Sequence, residues 1–143
     1  MEYQWLLYAL LSAAAASLVA IFGKIGLRGI DANAATAVRS VIMAVFLIGV
    51  VTMRGGLRHV QEVLTDKHAL LFVCMSGIAG ALSWLFYFLA LRYGEVAKVA
   101  PIDKLSVVFA CVMAVFILGE KISPMGIMGV ALIAVGAVMV ALA

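Results

Sequence analysis

The stretch Val99-Ala100-Pro101-Ile102-Asp103-Lys104-Leu105-Ser106 opens an apolar run that continues from Val107 to Leu118. Two charges and a proline therefore sit inside what otherwise reads as a membrane-crossing helix. A charge at bilayer depth costs roughly 2.5–3.5 kcal/mol on insertion scales. Such residues persist where they face a bundle interior, pair with one another or line a wet cavity. Pro101 has no amide hydrogen and is the expected helix break, loosening the turn before it. Asp103 and Lys104 are neighbours in sequence, so on a regular helix they point about 100° apart. Each is expected to find its partner on another helix and not to pair closely with the other.

The residues around this stretch settle the class. Of 143 residues, 67% are hydrophobic and 12% charged. A soluble domain of that length has too little interior to hide so much apolar surface. The chain reads as an all-α integral membrane protein, because Ala, Leu, Gly and Met dominate and no strand alternation is present. At about 20 residues per span, there is room for five transmembrane helices. So small a set encloses little pathway alone, which points to an oligomer. The net charge of +3 reflects loop lysines and arginines and implies no nucleic-acid partner. Cys74 and Cys111 fall in mid-span apolar segments and read as buried small hydrophobes. No His or Cys stands at metal-ligand spacing, and no cofactor is implied. Met1-Glu2-Tyr3 offers no basic n-region, so the first apolar run reads as a retained helix and not a cleaved signal.

The expected spans are residues 5–23, 32–53, 69–91, 97–118 and 124–142 of a single domain. Trp5 and Tyr8 suit an interfacial belt, and the small run Ser12 to Ser17 suits close helix approach. Lys24, at the end of the first span, reads as snorkelling to the interface, with a substrate-facing role as the alternative. Asp31-Ala32-Asn33 reads as the N-cap of the second span. Arg39 lies two turns inside that span. It snorkels, pairs with Asp103, or meets a substrate anion. Residues 54–67 form the long polar connection, with Val60, Val63 and Leu64 on one face, and are expected on the membrane surface. His59 and His68 read as solvated.

The third expected span carries no charge. Ser76, Gly80, Ser83 and Tyr87 recur at four- and three-residue spacing. The stripe is either a packing groove or a cavity wall, with Trp84 and Tyr87 able to touch substrate. Gly94 is the expected left-handed cap of this helix. Gly119 and Glu120 form a structural turn, and Ser123 and Pro124 start the last helix. Gly129 and Gly136 make that helix a candidate subunit interface. Lysines and arginines in the loops number four on each side (Arg54, Arg58, Lys67 and Lys121 against Lys24, Arg28, Arg92 and Lys98). Such balance sets no orientation. A balanced chain with an odd number of spans suits dual topology and an antiparallel pair.

Three segments carry a family resemblance: Tyr87-Phe88-Leu89-Ala90-Leu91-Arg92-Tyr93-Gly94, Ala97 to Pro101, and Gly119-Glu120-Lys121-Ile122. In this order they resemble the EamA repeat of the drug/metabolite transporter superfamily, and Arg39 sits where that repeat often has an arginine. The resemblance covers nearly the whole chain. It implies two inverted repeats moving small metabolites. This chain has one repeat, so two copies, or this chain with an oppositely oriented paralogue, would stand in for the two halves. The chain departs from the pattern at Asp103-Lys104. Smaller relatives that export cations depend on a glutamate in their first helix, and the first span here has no carboxylate.

The expectation is a transporter in the inner (plasma) membrane of a prokaryote, not an enzyme, working by alternating access in an antiparallel dimer. In-span charges are Arg39 and Lys104 against Asp103, a net of +1, which suits an anionic or zwitterionic small-molecule substrate. Asp103, Lys104, Arg39, Tyr87, Trp84 and Ser83 are the candidate binding or coupling residues. A lipid-linked-substrate flippase and a non-transporting helical subunit of a larger complex are the alternatives. No nucleophile–base pair, metal set or phosphate loop is spaced for catalysis.

Overall fold

The computed structural model describes residues 3–143. Their regular structure is helical: α1 (Gln4–Gly26), α2 (Ala32–Met53), α3 (Leu57–Thr65), α4 (Lys67–Tyr93), α5 (Val96–Asp103), α6 (Leu105–Leu118) and α7 (Pro124–Leu142). Taking α5 and α6 together, five stretches of the described residues are long and apolar enough to cross a membrane. The fold is that of an all-α integral membrane protein.

The buried apolar side chains are few: Ala20, Leu27, Ala32, Phe88, Leu91 and Ala137. Large apolar groups such as Phe46, Phe116 and Leu132 stand exposed. Hydrocarbon is as apolar as leucine, so helices inside it gain nothing from hiding such groups. Packing, interhelical polar contacts and lipid entropy must hold them together. The expected small-residue contact at Ser12 to Ser17 is exposed, and Ala20 is the buried position of α1. Cys74 is exposed and Cys111 half-buried, correcting their reading as buried.

The described residues form two compact units, residues 25–92 and residues 3–24 with 93–143. In the first unit, the Asp31 carboxylate accepts from the Asn33 and Ala34 amides at 3.0 and 2.9 Å and caps α2. Asp66 does the same for α4, accepting from His68 and Ala69 at 2.9 and 3.1 Å. That cap explains why α4 begins at Lys67, two residues before the expected span. Between them, α3 has its own apolar face and is amphipathic. His59 and Glu62 meet on its exposed side at 3.1 Å. Inside α2, Thr36 and Ser40 turn their hydroxyls back to the carbonyls of Ala32 and Thr36. This satisfies two polar side chains that hydrocarbon would penalise.

In the second unit, α5 and α6 pack on α7. The fourth span is interrupted, but at Lys104 and not before Pro101. Pro101 cannot donate to the Ala97 carbonyl. The Lys104 amide then reaches both Ala100 and Pro101 carbonyls, at 3.3 and 3.1 Å, so the turn tightens just downstream. Gly119 takes the left-handed conformation (φ 69°) that ends α6, and the Glu120 amide donates back to Ala114 at 3.1 Å. Gly94 is not among the left-handed glycines, which are Gly29, Gly55 and Gly119. Ser123 Oγ accepts from the Gly126 amide at 3.1 Å and caps α7. Gly126 is the close-contact glycine of α7, with a Cβ there meeting Ile122 Cγ2 at 2.7 Å. Gly129 and Gly136 face open space within the chain. Lys24 and Lys98, counted above with the loops, lie inside α1 and α5 close to their ends.

Candidate functional site

The sequence candidates fall into one group in each unit. The first is built on α2 and α4. Ala32, Thr36 and Arg39 follow one another at helical spacing on α2, as do Trp84, Phe88 and Leu91 on α4. Asp31 meets Arg92 at 3.5 Å, and Arg39 meets Trp84. The two contacts are the same number of residues apart in both helices and run in opposite senses. Their spacing is about 12 Å along each axis. The helices are therefore antiparallel, bridged by long polar side chains.

Arg39 Cζ lies 3.7 Å from the centre of the Trp84 ring and 4.7 Å from that of Phe88. Tyr87 stands edge-on to Trp84 at 5.8 Å and to Phe88 at 6.0 Å. Arg39 thus neither points to the interface as a free snorkelling chain nor has a carboxylate partner within its unit. Aromatic faces receive its charge instead, a contact that contributes about 2 kcal/mol when desolvated. Ring faces accept no directional hydrogen bond from the guanidinium edge. The Arg39 Nε is buried with no hydrogen-bond partner. An orphan donor of this kind costs about 1–3 kcal/mol. The arrangement can therefore receive an anion. A planar carboxylate reaching the guanidinium edge gains two parallel charge-assisted bonds. Ser83 is exposed and lies outside the stack.

The second group is the α5–α6 junction. Lys104 Nζ lies 3.4 Å from Asp103 Oδ2. This corrects the expectation that the neighbours would not pair. Lys104 is the interrupted position, so the regular angle between successive side chains does not apply, and its long stem folds back. The pair is partly exposed, and Pro101 is half-buried just before it. Glu120, at the turn after Gly119, is exposed.

Two contacts emerge that sequence reading did not foresee, one of them at Lys24, which was expected to snorkel to the interface. Phe88 supplies the second ring under Arg39. Its signal was the four-residue step from Trp84, which puts both on one face. Lys24 donates to the Gly94 carbonyl at 2.8 Å, tying the end of α1 to the turn after α4. No local pattern pointed to that contact, which joins positions 70 residues apart.

An all-helical chain of membrane-crossing segments, with an arginine held inside one of them, defines a multi-pass membrane protein with a polar site among its spans. Residues 3–142 match the EamA-like transporter family, and the chain belongs to that family. It is 41% identical over 141 residues, 99% of each chain, to a protein of Sinorhizobium sp. named "Uncharacterized transporter in cobO 3'region". No solved structure matches the chain. The family is one of membrane transporters.

Proposed function

We propose that the protein moves a small polar metabolite bearing an anionic or zwitterionic group across the inner membrane of a prokaryote. Two oppositely oriented copies, or one copy and an inverted paralogue, provide the alternating access. The observation that carries this reading is the Arg39 side chain. Of the charges more than one turn inside a span, Asp103 and Lys104 offset each other at 3.4 Å. The remaining positive charge is Arg39, held on Trp84 and Phe88 with its Nε unpaired. An in-span charge held in place without being neutralised suits a transporter of anions, whose counter-charge arrives with the substrate. Asp103 in this reading neutralises Lys104 and carries no coupling proton. The single repeat supports the inverted pair.

The test has two arms. Purified wild type and Arg39→Gln are screened for thermal stabilisation by free amino acids and small organic acids. The expected ligand stabilises wild type and leaves Arg39→Gln unmoved. Equal stabilisation of both would remove Arg39 from the site. For orientation, Cys74 and Cys111 are replaced, a cysteine is added after Ala143, and intact cells are labelled with an impermeant thiol reagent. Labelling of about half the chains supports the inverted homodimer. All-or-none labelling excludes it and leaves the inverted paralogue.

A further inference from the structure

A groove of about 540 Å³ opens between α6 and α7, in the unit that does not contain Arg39. Val112, Val115 and Phe116 of α6 line one wall, Ile127 and Val130 of α7 the other, and Ile122 the turn between them. Glu120 and Lys121 stand at the same turn. The volume is that of a ligand pocket, yet below the turn its walls carry no polar group beyond the Cys111 thiol.

The turn joins two spans, so it lies at the headgroup level of the bilayer. From Leu118 to Cys111 the α6 wall descends about 10 Å. One leaflet of the hydrocarbon core is roughly 15 Å deep, half of the ~30 Å total. The groove therefore takes about the upper two thirds of an acyl chain beneath a pair of opposite charges. Lys121 is placed for a phosphate. Glu120 beside it matches an amine and repels a headgroup that carries only negative charge.

The charged end is also fixed in place. Gly119 is left-handed and the Glu120 amide is tied to the Ala114 carbonyl at 3.1 Å. Ile122 sits so close to Gly126 that a Cβ there would be 2.7 Å from its Cγ2. Ile122 and Ile127 occupy the two positions of a hydrophobic staple around the Ser123 cap. We propose that this groove is a binding site for an amine-bearing zwitterionic phospholipid, with one acyl chain between α6 and α7 and the headgroup over Glu120 and Lys121.

The probes are phosphatidylethanolamine and phosphatidylglycerol, offered as an equal mixture to the purified protein and counted by native mass spectrometry. Wild type is expected to keep one phosphatidylethanolamine per chain, favoured at least about fivefold. Val115→Trp, which fills the groove, should lose it. Glu120→Lys should shift the preference toward phosphatidylglycerol. Equal retention of the two lipids by wild type would overturn the proposal. So would undiminished retention by a folded Val115→Trp. A Val115→Trp that keeps its lipid and loses its dimer would assign the groove to a second copy. Should Val115→Trp fail to fold by circular dichroism, Glu120→Lys decides alone, since its exposed side chain is dispensable for packing. An unchanged headgroup preference in that variant sinks the idea.

Discussion

The contact between Arg39 and Trp84 should be measurable as a coupling free energy. The guanidinium carbon is 3.7 Å from the indole centre and 4.7 Å from the Phe88 centre, both within the ~6 Å range of a cation–π contact. Arg39 is half-buried, so its share lies between the exposed and desolvated limits, at about 1–2 kcal/mol for the nearer ring. The Asp31–Arg92 ion pair in the same unit is 3.5 Å long with side chains 55% and 47% exposed. It contributes at most about 1 kcal/mol after screening. The aromatic contact is therefore the stronger bridge between α2 and α4. The perturbations are Arg39→Met, which keeps the apolar stem, and Trp84→Leu, alone and together. Arg39→Met loses the ring contacts but also removes the buried orphan Nε, which costs about 1–3 kcal/mol in the wild type. These terms nearly cancel, so the single variant should change stability by no more than about 1 kcal/mol. Trp84→Leu alone should cost more. It leaves the charge behind with one ring fewer. The double variant should be more stable than the sum of the singles by about 1–2 kcal/mol. Helix content followed through unfolding in mixed micelles reads all four proteins. A coupling below about 0.3 kcal/mol, the noise of additivity, would refute the reasoning.

Two further predictions concern the other unit. Lys104→Ala should weaken transport in reconstituted vesicles with little loss of folded protein, and Asp103→Asn with Lys104→Gln should regain activity lost in either single change. Normal transport by Lys104→Ala would make the pair purely structural. Gly119→Ala should cost about 1 kcal/mol, all of it backbone strain, because a Cβ there meets nothing within 4 Å while φ is 69°. By contrast, Gly126→Ala fails on contact with Ile122, so Ile122→Ala should rescue it and should not rescue Gly119→Ala. Melting temperatures of the four variants separate the two causes.

Much of the architecture was legible along the chain. Asp31 and Ser123 announce their helices because a cap is a contact made within three residues. Gly119 announced a turn for the same reason. Asp66 had the same chemistry, but the apolar run that signalled the span begins only at Ala69, and the boundary slipped accordingly. The Pro101 break was visible, while its displacement to Lys104 was not, because the carbonyls that take up the strain lie downstream of the ring. Gly94 misled. Glycine permits a left-handed cap or a close contact without requiring either.

The partners of the charged residues were a different matter. Arg39 was visible as an expensive residue inside a span, and the sequence left it three outcomes. Only the antiparallel register of α2 against α4 brings Trp84 and Phe88 beneath it, across some 45 positions of chain. In a soluble helix an apolar stripe would have shown which face turns inward. Here lipid and protein interior are equally apolar, so the pattern carries no such mark. By itself, then, the sequence determined what each segment is: its transfer to hydrocarbon, its helical period, its caps and its family. Those are sums over neighbouring residues. Tertiary structure alone decided which charge is paired, which is held unpaired, and where α6 and α7 part to leave a groove. Each of those depends on distances between segments that no local pattern encodes.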